Sequence, residues 1–165
     1  MISLHATAQG VNAQRAFMLY LQSCALPATI VHYNDERSRS DATAPFIRVR
    51  LTEGPARSQG PHPDGGKATR RTLIADCECW VRGTAGTQLG GLDGAAILAN
   101  MVVSALTYPA DIEILDYVTG GDSAVTTNHF LQFTDPPSPG DVRNAPEGWQ
   151  QQIVSTQAIW FARKE

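Results

Sequence analysis

Hydrophobic and polar residues alternate along several segments of this chain, and a period of two is typical of half-buried β-strands. The cleanest alternation covers residues 45–53, and a longer one covers residues 72–82. The longer segment separates a face of small and apolar side chains from a face of charged and bulky ones. The apolar face consists of Leu73, Ala75, Cys77, Cys79 and Val81. We therefore expect each segment to cover a hydrophobic core with one face only.

Four further segments are rich in β-branched and aromatic residues, which favour strands. They are residues 28–33, 111–118, 124–134 and 149–162. Two other segments repeat apolar residues at helical spacing, and each predicts a helix with one buried stripe. The first helix covers residues 11–24, with Asn12 as its candidate N-cap. The second covers residues 93–106, with Asp93 as its candidate N-cap and an apolar stripe of Ile97, Leu98, Met101, Val102 and Ala105.

This order of elements predicts an α+β fold, in which two helices pack on one face of a mainly antiparallel sheet. We expect a single domain over residues 1–165. Two segments rich in glycine and proline predict flexible loops, at residues 54–68 and 135–148. The first is a long hairpin loop between two strands. Loops of that length are often functional, so we expect it to be mobile in the free chain and ordered against a partner.

Composition fits this architecture and restricts the function. The chain has 165 residues, of which 42% are hydrophobic and 18% charged, enough apolar material for a core. The formal net charge is −3 with an isoelectric point near 5.8, which disfavours a protein that reads duplex DNA. Three cysteines do not form a disulfide framework, and the N-terminus lacks the pattern of a signal peptide. We therefore expect a reduced, cytoplasmic protein with no membrane span.

No motif in the sequence predicts catalysis, a metal site or a cofactor. The four histidines have no metal-ligand spacing, and the C-x-C pair Cys77 and Cys79 is a poor start for a zinc site. The glycine-rich segment 83–91 lacks the spacing of a phosphate-binding loop and is interpreted as a turn. We therefore predict that the chain is not an enzyme and holds no cofactor.

Asp76 and Glu78 share one face of a predicted strand and have two interpretations. A carboxylate pair is suited to acid–base work, and His129 would complete such a site. The alternative is a sheet surface with cross-strand ion pairs to Arg48 and Arg50. We favour the ion pairs.

Arginine and tryptophan are enriched at the centres of protein interfaces, and several lie on the predicted strands. Arg70 and Arg71 also form a small basic patch beside the long loop, which fits a phosphate or a guarded strand edge. The candidate interface residues are Arg48, Arg50, Arg70, Arg71, Trp80 and Arg82.

The layout as a whole resembles the tail terminator (tail completion) proteins of long-tailed bacteriophages and related phage-like particles. The resemblance covers roughly residues 10–160 and lies in the opening helix, the run Pro-Phe-Ile-Arg-Val-Arg-Leu at 45–51, the long hairpin loop, the strand with Trp80 and the alanine-rich helix at 95–102. The two loops rich in glycine and proline depart from the family pattern.

This resemblance implies a small α+β subunit that forms a hexameric ring at the head-proximal end of the virion tail. The ring caps the tail tube, stops its polymerisation and offers a face to the head–tail connector or neck. It would assemble in the host cytoplasm, contact the tail tube protein, and let DNA pass through its pore without specific binding. No catalytic residue is implied.

Two other functions remain open. A head–tail joining or neck protein belongs to the same structural class, and binding to the connector without binding to the tail tube would identify it. A small enzyme or ligand-binding domain belongs to a different class and predicts a concave pocket that contains Asp76, Glu78 and His129.

Overall fold

A computed structural model of the chain describes residues 4–33, 45–61, 67–82, 89, 93–107, 109, 111–116 and 125–163. The two helices are α1 (Leu4–Ser23) and α2 (Gly94–Leu106). The strands are β1 (Thr29–His32), β2 (Phe46–Glu53), β3 (Arg57–Pro61), β4 (Lys67–Arg82), β5 (Ile112–Asp116), β6 (Val125–Phe133), β7 (Ser138–Pro139), β8 (Arg143–Asn144) and β9 (Trp149–Arg163).

The described strands form a sheet in the order β1-β2-β4-β9-β6-β5. Its pairs are antiparallel except for β1 and β2, which run parallel. Strand β3 pairs with β4, and the short strands β7 and β8 pair with β9. The predicted α+β fold, with two helices on a mainly antiparallel sheet, is confirmed.

Strands β4 and β9 form the central ribbon of the sheet. They pair from Ala68 opposite Arg163 at one end to Arg82 opposite Trp149 at the other. Strand β4 has 16 residues, where a typical strand has about five or six. At about 3.3 Å per residue it spans about 50 Å, so its two ends present well-separated surfaces.

The helices cover one face of this ribbon. The predicted apolar face of β4, from Leu73 to Val81, is at most 2% exposed at each alternate position. Helix α1 adds Phe17 and Leu21 to the core, and α2 adds Leu98 and Val102, all fully buried. One described core therefore contains side chains from both helices and from strands β2, β4 and β9.

Helix α1 begins at Leu4, earlier than predicted, and Asn12 is not an N-cap. In the structure Gly10 is helical, and a Cβ there would lie 1.5 Å from Glu53 Oε1. Asn12 is buried in the middle of the helix and donates a hydrogen bond of 3.2 Å to Asp116. Glycine at position 10 thus leaves room for the Glu53 carboxylate against the helix.

Helix α2 begins after Asp93, as expected, but the Asp93 side chain makes no capping hydrogen bond. Its backbone carbonyl accepts the Ile97 N–H at 2.9 Å. The buried stripe contains Leu98 and Val102 as predicted, whereas Ile97 is 38% exposed. The stripe is displaced because Gly94 and Ala95 at the start of the helix also face the core.

Both predicted flexible loops contain strand residues. The segment 54–68 includes β3 and the start of β4, which pair with each other. The segment 135–148 includes β7, β8 and a single 3-10 turn at Pro146–Gly148. Residues 34–44, residues 117–124 and most of the glycine-rich segment interpreted as a turn lie outside the described residues. In the described part, no helix is long and apolar enough to cross a bilayer.

Candidate interface on the open face of the sheet

The face of the sheet opposite the helices carries most of the candidate residues. Alternation along β2 and β4 places Arg48, Arg50, Glu78 and Trp80 there, and the strand register sets Arg48 directly opposite Glu78. The same register sets Phe46 opposite Trp80. Local alternation and strand pairing together therefore gather arginine, carboxylate and aromatic side chains at one end of the sheet.

Glu78 is the centre of this group. The Arg48 Nε–H donates to Glu78 Oε2 at 2.7 Å, and the Trp80 indole N–H donates to the same oxygen at 3.2 Å. Arg50 Nη2 lies 3.9 Å from Glu78 Oε1. The Glu78 side chain is only 7% exposed. The predicted cross-strand ion pairs to Arg48 and Arg50 are confirmed, and both converge on the buried carboxylate of Glu78.

The Tyr33 ring makes cation–π contacts with both arginines. The guanidinium carbon of Arg48 lies 4.7 Å from the Tyr33 ring centroid, and that of Arg50 lies 4.2 Å from it. Arg48 also lies 5.9 Å from the Trp80 ring centroid, which is cation–π distance. Arg50 keeps 48% of its side chain exposed. Asp76 lies directly opposite Arg50 in the register, so the two arginines share the open face with two carboxylates.

Three aromatic rings line a cleft beside this group. Phe46 and Trp80 stack at 5.9 Å and 10°, and Trp149 meets them edge-on at 5.5 and 6.5 Å. The opposite wall consists of Ala145, Pro146 and Glu147. This aromatic cleft has a volume of about 250 Å³, below the roughly 300 to 1,000 Å³ typical of small-molecule sites. It is better matched to an inserted side chain than to a whole ligand.

The backbone of the cleft wall is strained at Glu147. Its φ of 61° and ψ of 27° are left-handed, a conformation that costs a residue other than glycine roughly 1 kcal/mol or more. The side chain is exposed and makes no ion pair with any described residue. Such strain often marks functional positions, so Glu147 joins the candidate site.

The other end of β4 carries a second group of arginines. We call β3 and residues 67–71 of β4 the basic arm. Arg71 points to the helix side, where it pairs with Glu53 at 2.5 Å and lies 5.3 Å from the Trp160 ring centroid. Arg70 points the opposite way, lies directly across from Arg57, and has a buried Nε–H without a hydrogen-bond partner.

The structure thus divides the predicted interface residues into two groups. Arg48, Arg50 and Trp80 come together around Glu78, and Arg82 lies exposed at the same end of β4, opposite Trp149 in the register. Arg70 and Arg71 lie at the far end. The sequence did not reveal Tyr33, Phe46, Trp149 or Glu147 as members of the site. Pairing of segments 45–53 and 72–82 was the one available signal, since it brings Phe46 to Trp80.

The alternative site of Asp76, Glu78 and His129 is not assembled. Asp76 accepts a hydrogen bond from the Ser155 hydroxyl at 2.6 Å on the open face. His129 instead lines a small enclosed space with Gln9, Asn12 and Trp160 on the helix side. Among the described residues, no group of three or more histidine, cysteine or acidic side chains is arranged to hold a metal.

Burial makes the two strand cysteines poor nucleophiles. It raises the pKa of the Cys77 thiol strongly, with smaller contributions from Cys79 and Asp76, and it raises the pKa of the Cys79 thiol to about 12. The thiolate is the reactive form, so both side chains act as small core residues at neutral pH.

Comparisons with known proteins support the fold alone. No family model matches the chain, and no curated protein matches it. Eleven chains of solved structures do match. One of them, which carries only a sequence identifier and no functional name, has a TM-score of 0.51 at 10% sequence identity and covers 100% of this chain and 99% of its own. The whole chain therefore has the topology of a solved domain.

Proposed function

We propose that this chain is a structural subunit of the tail terminator type, which forms a ring that caps a tail tube and offers a face to the head or neck. The proposal starts from the resemblance in the sequence. The α+β fold, with two helices on one sheet face, agrees with the fold that this resemblance implies.

The observation that carries the proposal is the cluster of Arg48, Arg50, Trp80 and Trp149 on the open face of the sheet. Tryptophan and arginine dominate the binding energy of protein interfaces, where they lie in packed centres with a polar rim. Here the buried Glu78 fixes the arginine side chains before any partner binds. A prearranged cluster loses less conformational entropy on association than mobile side chains do.

The sheet edges supply the geometry that a ring needs. Strands β1 and β5 are the terminal strands of the described sheet, so each has one backbone edge without a strand partner there. A ring with cyclic symmetry requires two different surfaces that complement each other, one on each side of the subunit. Two edges and two separate arginine groups provide distinct surfaces on opposite sides.

Charge is compatible with passage of DNA. Each chain has a formal charge of −3, so six copies would carry about −18 around one pore. Such a ring repels the phosphate backbone, and DNA would pass without specific binding.

Size-exclusion chromatography with light scattering tests the proposal, on the chain alone and with its tail tube protein. We expect a species of about six copies of the 17.8 kDa chain, free or on tube ends, and tubes that stop growing when the chain is added. Arg50→Glu should reduce this assembly, whereas Ile97→Glu, at an exposed position on the helix side, is the matched control.

A chain that stays monomeric and leaves tube growth unchanged would refute the proposal. Binding to the connector without binding to the tube would instead identify a neck protein.

A further inference from the structure

Charge is distributed unevenly between the two ends of the β4–β9 ribbon. Residues 54–71, which include the basic arm, contain four basic residues and one acidic residue. Residues 135–148, which include one wall of the aromatic cleft, contain three acidic residues and one basic residue. The two segments rich in glycine and proline therefore carry opposite formal charge.

Arg71 of the basic arm pairs with Glu53, but Arg57 and Arg70 have no acidic partner among the described residues. Arg57 and Arg70 are directly opposite each other on β3 and β4, and like charges at that position repel. Arg57 is exposed and makes no ion pair with a described residue, and the Arg70 Nε–H is buried without a hydrogen-bond partner. An acidic group beside the exposed Arg57 would offset this repulsion.

The aromatic cleft has one acidic side chain, Glu147, without a cationic partner among the described residues. Glu147 at its wall makes no ion pair with a described residue, and its left-handed backbone holds it beside Pro146 on the cleft wall. Arg48 also lines the cleft, but Glu78 already neutralises it at 2.7 Å. Faces of tryptophan rings attract guanidinium groups, and a carboxylate beside them strengthens the attraction. The cleft is therefore suited to an arginine side chain.

A chain cannot bring its own arm to its own cleft. Arg70 and Trp80 lie on the same strand, ten positions apart, which corresponds to about 33 Å. Complementary surfaces at opposite ends of one rigid ribbon cannot meet within a molecule, but they can meet between molecules arranged head to tail. That arrangement is the heterologous contact from which rings form.

We propose that the basic arm of one copy docks against the aromatic cleft of the next copy, with Arg57 stacked on Trp149 and paired with Glu147. This inference rests on the proposed ring and assigns its subunit contact. The occupant is a second copy of this chain because both halves of the contact are present on it with opposite charge.

Sedimentation of charge-reversed variants tests the contact. Glu147→Arg and Arg57→Glu should each weaken self-association about tenfold or more, since each places like charges together. Mixing the two variants in equal amounts should restore assembly, because each supplies the partner that the other needs. High salt should weaken the wild-type assembly through screening of these charges.

Two control variants match the charge changes. Asp141→Arg reverses an acidic residue of the same segment that does not line the cleft, and Arg143→Glu makes the same change as Arg57→Glu at the acidic end. Neither should weaken assembly. Rings that form undiminished with Glu147→Arg and Arg57→Glu would overturn this contact and leave the ring function standing. Failure of the mixture to recover, or a chain that never self-associates, would overturn the contact as well. Assembly on tail tube would then decide the ring function separately.

Discussion

The two faces of the central ribbon differ in what fixes their side chains. On the helix-covered face, Leu73 and Cys77 are at most 1% exposed and pack with apolar side chains of both helices. On the open face, Arg48, Glu78 and Trp80 are fixed by hydrogen bonds and ring contacts. The first face is held by burial, which is non-directional, and the second by directional contacts between polar groups.

This difference separates stability from recognition. Apolar burial tolerates many arrangements of similar volume, so the helix-covered face determines that the chain folds. A buried carboxylate that accepts hydrogen bonds from Arg48 and Trp80 tolerates few arrangements, so the open face presents a defined surface. Variants in the helix-covered core should therefore lower the free energy of unfolding, whereas variants at exposed positions of the open face should mainly weaken assembly.

The largest effect is expected from truncation in the helix-covered core. Leu98→Ala removes a fully buried side chain and should lower the free energy of unfolding by about 2–5 kcal/mol. Ile97→Ala removes a similar number of atoms one position earlier, where the side chain is 38% exposed, and should cost less than about 1 kcal/mol. Urea denaturation of both variants measures the difference. Equal losses would show that α2 does not pack on the sheet as described.

The second-largest loss of folding free energy is expected from a change at Glu78, the buried carboxylate of the open face. Glu78→Gln leaves the Arg48 guanidinium, whose side chain is 15% exposed, without its counter-charge. Because the Arg48 side chain keeps some contact with solvent, we expect a loss of about 2–3 kcal/mol. Asp76→Asn is the matched control, since Asp76 accepts one exposed hydrogen bond, and it should cost less than about 1 kcal/mol. A Glu78 variant as stable as the control would contradict a buried ion pair.

Gly94→Ala should cause a smaller change in the free energy of unfolding, opposite in sign to the usual effect of this substitution in a helix. Glycine to alanine in a helix usually stabilises by about 1 kcal/mol. At Gly94, however, a Cβ would lie 2.2 Å from the Leu89 carbonyl oxygen and 2.8 Å from a Val81 methyl carbon. Backbone cannot move aside cheaply, so Gly94→Ala should destabilise by about 1–2 kcal/mol. A rise in the urea midpoint would show that α2 does not approach Leu89 this closely.

Local patterns explain how much of the helix-covered face could be predicted. A period of two along residues 72–82 identified the core positions of β4, because alternation depends only on neighbouring residues in a strand. The helix stripe was predicted less well, since contact with Leu89 and Val81 brings Gly94 to the core. Asn12 could not be assigned, because its partner Asp116 is 104 positions away.

The open face depended on contacts that no local pattern encodes. Its arginines and Trp80 were predicted as interface residues, and the ion pairs to Glu78 followed from pairing of two alternating strands. The meeting of Phe46, Trp80 and Trp149 requires the register of three strands from distant parts of the chain. The left-handed backbone of Glu147 has no signal in the sequence Pro-Glu-Gly, because many residues precede glycine without that conformation.

The smallest change in stability is expected from relieving backbone strain at two residues with left-handed backbone, which lie in different surroundings. Ala25 has a φ of 51° just after α1, and Glu147 has a φ of 61° at the aromatic cleft. Glycine relieves the strain at either position, so Ala25→Gly and Glu147→Gly should each raise the free energy of unfolding by about 0.5–1 kcal/mol. Only Glu147→Gly should also weaken self-association, because it removes the carboxylate that we pair with Arg57. Thermal denaturation and sedimentation of both variants separate the two effects. If both variants assemble like the wild type, the strain at Glu147 belongs to the turn alone and the cleft has no role in the contact.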